Sequence, residues 1–252
     1  MTINQNNLGI QSNHDLFIPH WPQPGLLPRR TERGTRIETI AFNGDGLSQA
    51  FRSSHFLEEL DRLGVRFLNN SKEVGLSNNW HNYQEVDLVL AVRDHLALAK
   101  PASKLVNAWH AGVPALLGNE PAFRELRQSQ FDYIEVLNPD DVFNAIKHLK
   151  SNSEVYQAMV HNGLKRAQEF TFDRIALQWR DLLSGPVAQE YYCWKKRSSF
   201  RRRYEVTSRK VAQQIIWKKE KAAAFLIQNA SPLLPNPWSE KFKDMLSYWA
   251  FR

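Results

Sequence analysis

A nearly unbroken apolar run at residues 86–92, with the sequence VDLVLAV, limits the folds that are open to this chain. A strand that is apolar on both faces must be covered on both faces, as in a parallel sheet between two layers of helices. Further strands are predicted at 37–43, 65–68, 113–118 and 133–136, with helical patterns between them. This alternation predicts an α/β fold with a doubly wound parallel sheet.

The sequence patterns before and after the predicted strands and helices divide the chain into three predicted parts. Residues 1–36 contain four Pro and three Gly, a density that predicts an extended lead-in. Residues 37–184 hold the strands and their helices and predict a Rossmann-like domain. Residues 185–252 change to a basic and aromatic composition and predict a helical tail, with a helix near 205–228.

Helical periodicity supports this division. A single helix is predicted over 48–63, where apolar residues recur at helical spacing, and Gly64 stands at the position of a C-cap. Another helix is predicted from Pro101 and Ser103 to Gly112. Residues 139–183 are predicted to be helical in three stretches.

The net charge of +7 is concentrated in the tail. From Lys195 to Lys221 there are eleven Lys and Arg and two Glu, a local charge of +9, which leaves −2 for the other residues. The predicted domain is therefore close to neutral. The tail basicity, interleaved with Tyr and Trp, suits an anionic membrane surface or a nucleic acid and equally describes a solvated helical face.

Composition excludes several classes of protein. Hydrophobic residues make up 42% and charged residues 23%, as in a folded globular protein. The single cysteine, Cys193, excludes an internal disulfide and a cysteine metal cluster. The polar N-terminus has no signal-peptide pattern, and no long apolar segment is present, so we expect a cytoplasmic protein, with peripheral attachment to the inner membrane face as an option. Metalloprotease, serine-hydrolase and P-loop motifs are missing.

Ligands of open parallel sheets bind beyond the carboxyl ends of the strands, so the loops there hold the candidate site residues. Gly44 and Gly46 follow the first predicted strand, where backbone amides can approach a phosphate closely; a simple tight turn is the alternative. Arg93 ends the strand at 86–92. Its guanidinium is predicted to bind phosphate oxygens in the cleft or, alternatively, to pair with Asp94 at the surface.

The segment KPASKLVNAWHAGVPALLG at 100–118 is the most informative one. Lys100 and Lys104 flank Ser103, which is predicted to be the N-cap of the helix. Exposed amides, the positive helix end and two ammonium groups would then converge on one anion, and a diphosphate fits that arrangement. The alternative is an ordinary capped helix with solvated lysines.

Three further residues are candidates for chemistry. Glu120 lies on a loop after a predicted strand, where its carboxylate would accept hydrogen bonds from ribose or sugar hydroxyls, unless it is only a first-turn helix charge. His81 and His110 are candidates for acid–base work, although His110 also suits packing on a helix face. No catalytic residue is identified.

The segment at 100–118 resembles the glycosyltransferase group 1 superfamily of the GT-B fold. That family joins a P-x-[SN]-K-L motif and an A-x-x-AG-x-P motif in its nucleotide-binding domain, and both patterns occur here. The resemblance covers about residues 37–183 and implies that Ser103 and Lys104 lie near the diphosphate. Asn107 falls where such enzymes often have a Glu facing the donor sugar. The lead-in FIPHWPQPGLLPRRTERG also looks like the interdomain segment of similar glycosyltransferases.

The resemblance implies a nucleotide sugar as substrate, a glycan or lipid-linked acceptor in polysaccharide biosynthesis, and neither a cofactor nor a metal. Two departures limit it: Ala99 and Asn107 replace a pair of glutamates, and the acceptor domain expected before residue 37 is missing. Three hypotheses result. The chain is a glycosyltransferase, a non-catalytic subunit or remnant that needs a partner chain to supply the acceptor domain, or a protein that binds an anionic membrane or nucleic acid through residues 190–221.

Overall fold

The computed structural model describes most of the chain, in two compact units. The first unit is Thr2–Trp179 and the second lies within Arg180–Arg252. The predicted domain boundaries at 36/37 and 184/185 stay predictions. The described residues are 2–5, 15–71, 79–94, 100–230, 241 and 245.

Seven strands are described in the first unit, and five of them form one parallel sheet. A separate pair, β1 with β2, is also parallel. The sheet order is β4-β3-β5-β6-β7, so the chain reverses its direction of travel across the sheet between β3 and β5. This confirms the doubly wound parallel sheet. The strands are β1 Thr2–Asn4, β2 Asp15–Phe17, β3 Thr39–Asn43, β4 Arg66–Asn70, β5 Leu88–Ala91, β6 Ala115–Leu117 and β7 Ile134–Glu135.

The central strands are buried along their whole length. Every residue of β3, β5 and β6 is buried, which is the burial that the apolar runs predict. The core also takes aromatic residues from the helices, for example Phe56 of α1 and Phe143 of α4, whose rings stack at 5.5 Å. The eight α-helices described are α1 Ser54–Arg62, α2 Ser103–Ala111, α3 Pro121–Leu126, α4 Pro139–Ser151, α5 Ser153–Ala167, α6 Phe172–Leu182, α7 Ala188–Lys195 and α8 Ser199–Ala230.

The prediction of a single helix over 48–63 is wrong. A 3-10 turn at Gln49–Arg52 comes first, and α1 begins only at Ser54. The break occurs because Ser53 has an extended backbone and its hydroxyl accepts a hydrogen bond from the amide of Phe56 at 3.2 Å, as an N-cap does. The predicted end is confirmed, since Gly64 follows α1 with a φ of +65°.

The lead-in is attached to the amino-terminal end of the sheet by a buried carboxylate, Asp87, just before β5. Arg29 donates to its Oδ1 from Nε at 3.0 Å and Nη2 at 2.8 Å. Arg33 donates to both carboxylate oxygens, each at 2.7 Å. The amides of Glu38 and Thr39 complete the set at 2.8 and 3.0 Å. Burial opposes ionisation of Asp87, but the bonds from Arg33 and the other donors outweigh it and hold its pKa below the usual value.

The second unit is helical in its described part. A π-helical turn at Leu183–Val187, which contains Pro186, leads into α7, and α8 follows. The predicted helix near 205–228 is confirmed and is longer, at Ser199–Ala230. The segment SPLLPNPW, from 231, lies outside the described residues. Among the helices that the structure describes, each is too short or too polar to cross a bilayer.

Candidate functional site

A cavity of about 390 Å³ opens at the carboxyl end of the sheet, where the chain reverses between β3 and β5. This is the position at which open α/β sheets bind ligands. Six of the eight predicted binding residues contribute to the cavity wall, and only Gly46 and Glu120 are outside it. The lining residues are His20, Gln23, Asn43, Gly44, Asp45, Trp80, Tyr83, Arg93, Lys100, Pro101, Ser103, Lys104, Asn107 and Phe123.

The loop after β3 needs both of its glycines. Gly44 has a φ of +139° and Gly46 a φ of +80°, values that side-chain-bearing residues rarely adopt. A Cβ built on Gly44 would lie 2.6 Å from Nζ of Lys104, and one built on Gly46 would lie 3.7 Å from Nε of Arg93. Because Gly44 and Gly46 have no side chains, the ammonium of Lys104 and the guanidinium of Arg93 fit beside the loop. Phosphate binding by this loop stays a prediction.

The prediction that Ser103 is the N-cap of α2 is wrong. Ala102 is the N-cap, and its side chain has no oxygen, so no side-chain hydrogen bond closes the helix. Ser103 is the first helical residue, where the backbone is already helical and the hydroxyl is not placed to cap the following amides. The first-turn amides of α2 therefore have neither an intrahelical acceptor nor a side-chain cap. They add partial positive charge at the cavity wall.

Lys104 is a strongly perturbed group of the cavity wall. Its ammonium lies 5.0 Å from the ring centroid of Phe42, and no carboxylate among the described residues forms an ion pair with it. Burial, as the largest cause, and the positive charge of Arg93 together lower the pKa of Lys104 from 10.5 to about 8. Asp45 and Glu120 offset only part of this effect. A largely buried cation whose charge is compensated only in part by nearby carboxylates is a group that an anionic ligand would complement.

Arg93 reaches the cavity wall as predicted, but its counter-ion is Glu120 and not Asp94. Nη1 of Arg93 lies 2.5 Å from both carboxylate oxygens of Glu120, which is only 3% exposed. The carboxylate of Asp94 instead accepts a hydrogen bond from the Gln49 amide at 3.2 Å. Glu120 therefore fixes the position of the Arg93 guanidinium through this ion pair. A direct contact of Glu120 with ribose or sugar hydroxyls stays a prediction.

Asn107 is held by the lead-in. Its Oδ1 accepts a hydrogen bond at 2.8 Å from the amide of Gln23, 84 residues earlier in the chain. Beside it, Tyr83 is buried, and burial raises its pKa despite hydrogen bonds with Asn43 and Asn107. Asn43 accepts a hydrogen bond from Asn70 through Oδ1 at 2.8 Å. The amides of Asn43 and Asn107 and the phenol of Tyr83 thus form one polar cluster in the cavity wall.

The two histidines singled out in the sequence are not cavity-lining residues. His110 is half-buried on α2, with Nε2 3.1 Å from the carbonyl oxygen of Phe170, and burial lowers its pKa. His81 contributes its backbone carbonyl, which accepts from the Leu27 amide at 2.8 Å. Sequence reasoning missed His20 instead, because a residue of the lead-in gives no local signal that it reaches the sheet. No cluster of three potential metal ligands occurs in the described parts of the chain.

Comparisons with known proteins show which solved structures have a similar fold. No protein-family profile and no curated sequence matches this chain. Among solved structures it is similar to Anabaena HepE in complex with UDP and glucose, with a TM-score of 0.51, 13% identity, and coverage of 72% of this chain and 62% of that one. The chain thus spans less than two thirds of HepE. A sucrose-phosphate synthase from Thermosynechococcus elongatus gives a TM-score of 0.49 at 13% identity, with coverage of 74% and 58%, which is too low to carry an argument.

The likeness to HepE shows the fold alone. Together with the parallel sheet and its strand order, it defines the class of the first unit: a Rossmann-like half of the GT-B fold. The cavity lies at the ligand-binding end of that half.

Proposed function

We propose that the cavity binds the diphosphate of a nucleotide sugar, and that the protein is the donor-binding part of a glycosyltransferase. The observation that carries the proposal is Lys104, whose largely buried ammonium forms no ion pair with a carboxylate of the described residues and lies at the switch point of a doubly wound sheet. A diphosphate would supply the missing negative charge. HepE, which shares the fold, was solved with UDP and glucose, and that supports a nucleotide as the ligand class.

Three positive groups would share the diphosphate. Lys104 approaches over Gly44, Arg93 reaches the wall from β5 with its charge oriented by Glu120, and the first turn of α2 presents its amides. In sugar transfer the bond between the sugar and the diphosphate breaks, and negative charge grows on the leaving phosphate. Groups that are already held in place around that charge lower the barrier without further reorganisation. The proposal therefore requires no metal.

The acceptor part of the reaction would need a second domain. A glycan or lipid-linked acceptor and its catalytic base would come from a second GT-B half, in another segment or a partner chain. Closure of the two halves would bring the acceptor against the donor sugar and exclude water. Such an enzyme would work at the cytoplasmic side of a membrane, where nucleotide sugars are supplied.

Binding measurements test the donor site. We would titrate the full chain with UDP, GDP, ADP and their sugar conjugates by calorimetry and follow thermal unfolding in parallel. At a hundred times its dissociation constant, one ligand should stabilise the fold by about 2.7 kcal/mol. The Lys104→Met variant should lose about tenfold to hundredfold in affinity, since hydrogen bonds to charged groups contribute about 1.5–3 kcal/mol.

Lys147→Met is the matched control, because Lys147 is an exposed lysine of α4. It should bind as the unmodified chain does. The proposal fails if no nucleotide stabilises a well-folded sample, or if Lys104→Met binds as tightly as the control.

One observation favours a second candidate, a subunit that binds the nucleotide sugar without transferring the sugar. Asn107 occupies the position at which related enzymes often have Glu, and its side-chain oxygen is already bonded to the Gln23 amide. Donor-sugar contacts there would be weaker than in an active enzyme. Measuring release of free nucleotide from the conjugate, alone and with a candidate partner chain, separates the two: binding without release, even with the partner, favours the non-catalytic subunit.

A further inference from the structure

The long helix α8 carries an exposed apolar stripe. Phe200, Tyr204, Val211, Ile215 and Phe225 are between 48% and 80% exposed. Plotted at 3.6 residues per turn, they fall within a sector of about 80°, so they lie on one side of the helix. An exposed apolar line of this length on a soluble helix marks a surface that contacts something else.

Basic residues border the apolar stripe on both sides. Arg203, Lys210 and Lys221 lie along one edge, and Arg201 and Lys219 lie along the other. Lys218 falls within the stripe, and its stem is long enough to carry its charge to one side. Val206 and Trp217 lie beyond the first basic edge, where Nζ of Lys221 is 4.0 Å from the Trp217 ring centroid, and Leu226 lies beside the other edge. Aromatic and aliphatic residues thus alternate with cations around this side of α8.

The opposite side of α8 is engaged within the second unit. The guanidinium of Arg202 lies 5.3 Å from the ring centroid of Trp194 in α7. Glu205 forms ion pairs with two arginines. Arg197 donates to both of its carboxylate oxygens at 2.7 Å, and Arg201 donates to one of them at 3.4 Å. The acidic charge near the start of the helix is therefore already neutralised. The apolar stripe and the basic edge formed by Arg203, Lys210 and Lys221 lie on a different side of the helix from these contacts.

We propose that α8 is a docking surface for an anionic lipid bilayer. The apolar stripe would enter the boundary between headgroups and acyl chains, and the basic borders would lie among the anionic headgroups, as in amphipathic helices that lie in the plane of a membrane. This docking surface belongs to the second unit, so the inference is independent of the nucleotide site.

The other occupants fit less well. Nucleic acid would satisfy the basic residues through its phosphates but would leave the five apolar side chains in water. A second copy of the helix would cover those side chains but would bring two basic surfaces together, with Glu205 already paired. An anionic bilayer satisfies both the charge and the apolar stripe.

Vesicle flotation tests the proposal with the full chain. We expect binding to vesicles of equimolar phosphatidylcholine and phosphatidylglycerol, weakened by salt, and little binding to phosphatidylcholine alone. The triple variant Arg203→Gln, Lys210→Gln, Lys221→Gln should bind about a hundredfold more weakly, since each basic residue near an anionic surface contributes roughly fivefold. The double variant Phe200→Ser, Ile215→Ser should lose about tenfold at unchanged charge.

A charge-matched control separates docking from general attraction. The variant Lys147→Gln, Lys165→Gln, Arg174→Gln removes three exposed charges from the first unit and should bind as the unmodified chain does. Circular dichroism should show the same helix content in all variants. Equal losses in the control and in the α8 triple variant would overturn the proposal. So would binding to duplex DNA without binding to vesicles, or a concentration-dependent dimer that Phe200→Ser, Ile215→Ser dissociates while vesicles remain unbound.

Discussion

The charged groups near the two ends of the strand β5 differ in how completely their charges are compensated. At the amino-terminal end, Asp87 is fully buried, and two arginines and two backbone amides satisfy it. At the carboxyl end, Lys104 is largely buried beside Arg93, and the nearby carboxylates compensate it only in part. The two ends belong to the same strand of the same unit, so the difference is not one of fold.

The difference separates stability from function. A buried charge with all of its partners in place needs nothing from outside, and its network fastens the lead-in to the sheet. A buried charge without a full set of partners reduces stability, and such groups cluster where a ligand completes them. The amino-terminal end of β5 is therefore structural, and the carboxyl end is where a ligand is expected.

The largest expected effect is at the structural end. Asp87→Asn keeps the size of the side chain but leaves Arg29 and Arg33 buried without their shared anion. Removing one partner of a buried ion pair costs about 3–5 kcal/mol, and we expect the free energy of unfolding to fall by that amount in urea titrations. Nucleotide affinity, measured on the fraction that remains folded, should not change. A loss below about 1 kcal/mol would show that the network does not hold the lead-in.

A smaller effect is expected at the ligand end from Gly44→Ala. The φ of +139° strains any side-chain-bearing residue, and the new Cβ would displace the ammonium of Lys104. We expect a loss of about 1–3 kcal/mol in stability and weaker nucleotide binding. Gly25→Ala is the control: its φ is +69° with open space around the Cβ, so only stability should fall, by about 1–2 kcal/mol. Unchanged nucleotide affinity in Gly44→Ala would argue against a role for Lys104 in binding.

The charges at the two ends should act in different pH ranges, and in both ranges stability should rise with pH. The pKa of Lys104 is about 8 in the fold and 10.5 as a reference, so between these values the unfolded chain binds the extra proton and stability rises with pH. The pKa of Asp87 is depressed, so its stabilisation is present above the usual carboxyl pKa and is lost as pH falls through the folded value. Unfolding free energies of the unmodified chain and Lys104→Met at pH 7.5 and pH 10 isolate the first effect. Their difference should shrink at the higher pH, and a constant difference would contradict the lowered pKa.

The smallest effect is expected at an exposed ion pair of the same sheet. Glu135, at the edge strand β7, accepts from Nε and Nη2 of Arg124 at 2.9 and 2.5 Å, and Arg124 is more than half exposed. Solvent screens such pairs, so Glu135→Gln should cost about 0–1 kcal/mol in the same urea titrations. A cost as large as that of Asp87→Asn would remove the distinction between buried and exposed pairs on which the comparison rests.

Much of the fold could be predicted because its signals are local. The apolar run at 86–92 indicates a strand covered on both faces, and Gly64 and Gly112 mark the ends of two helices with positive φ. Six of the fourteen residues of the cavity wall were also predictable, since glycines and basic residues follow the carboxyl ends of strands, and those ends meet at one edge of a parallel sheet. The break at Ser53 was missed because its hydroxyl caps a helix within a stretch whose apolar spacing continues across it.

The sequence by itself determined which segments become strands, that the sheet is parallel, and that the basic charge belongs to the tail, because each depends on residues close together in the chain. Only the tertiary structure decided that Arg93 pairs with Glu120 and that Asn107 accepts a hydrogen bond from the Gln23 amide. It likewise decided that Asp87 binds two arginines that are more than fifty residues away in the chain. It also decided how far Lys104 is buried. These outcomes depend on which distant atoms the packed core brings together, and desolvation and partner geometry leave no local pattern in the sequence.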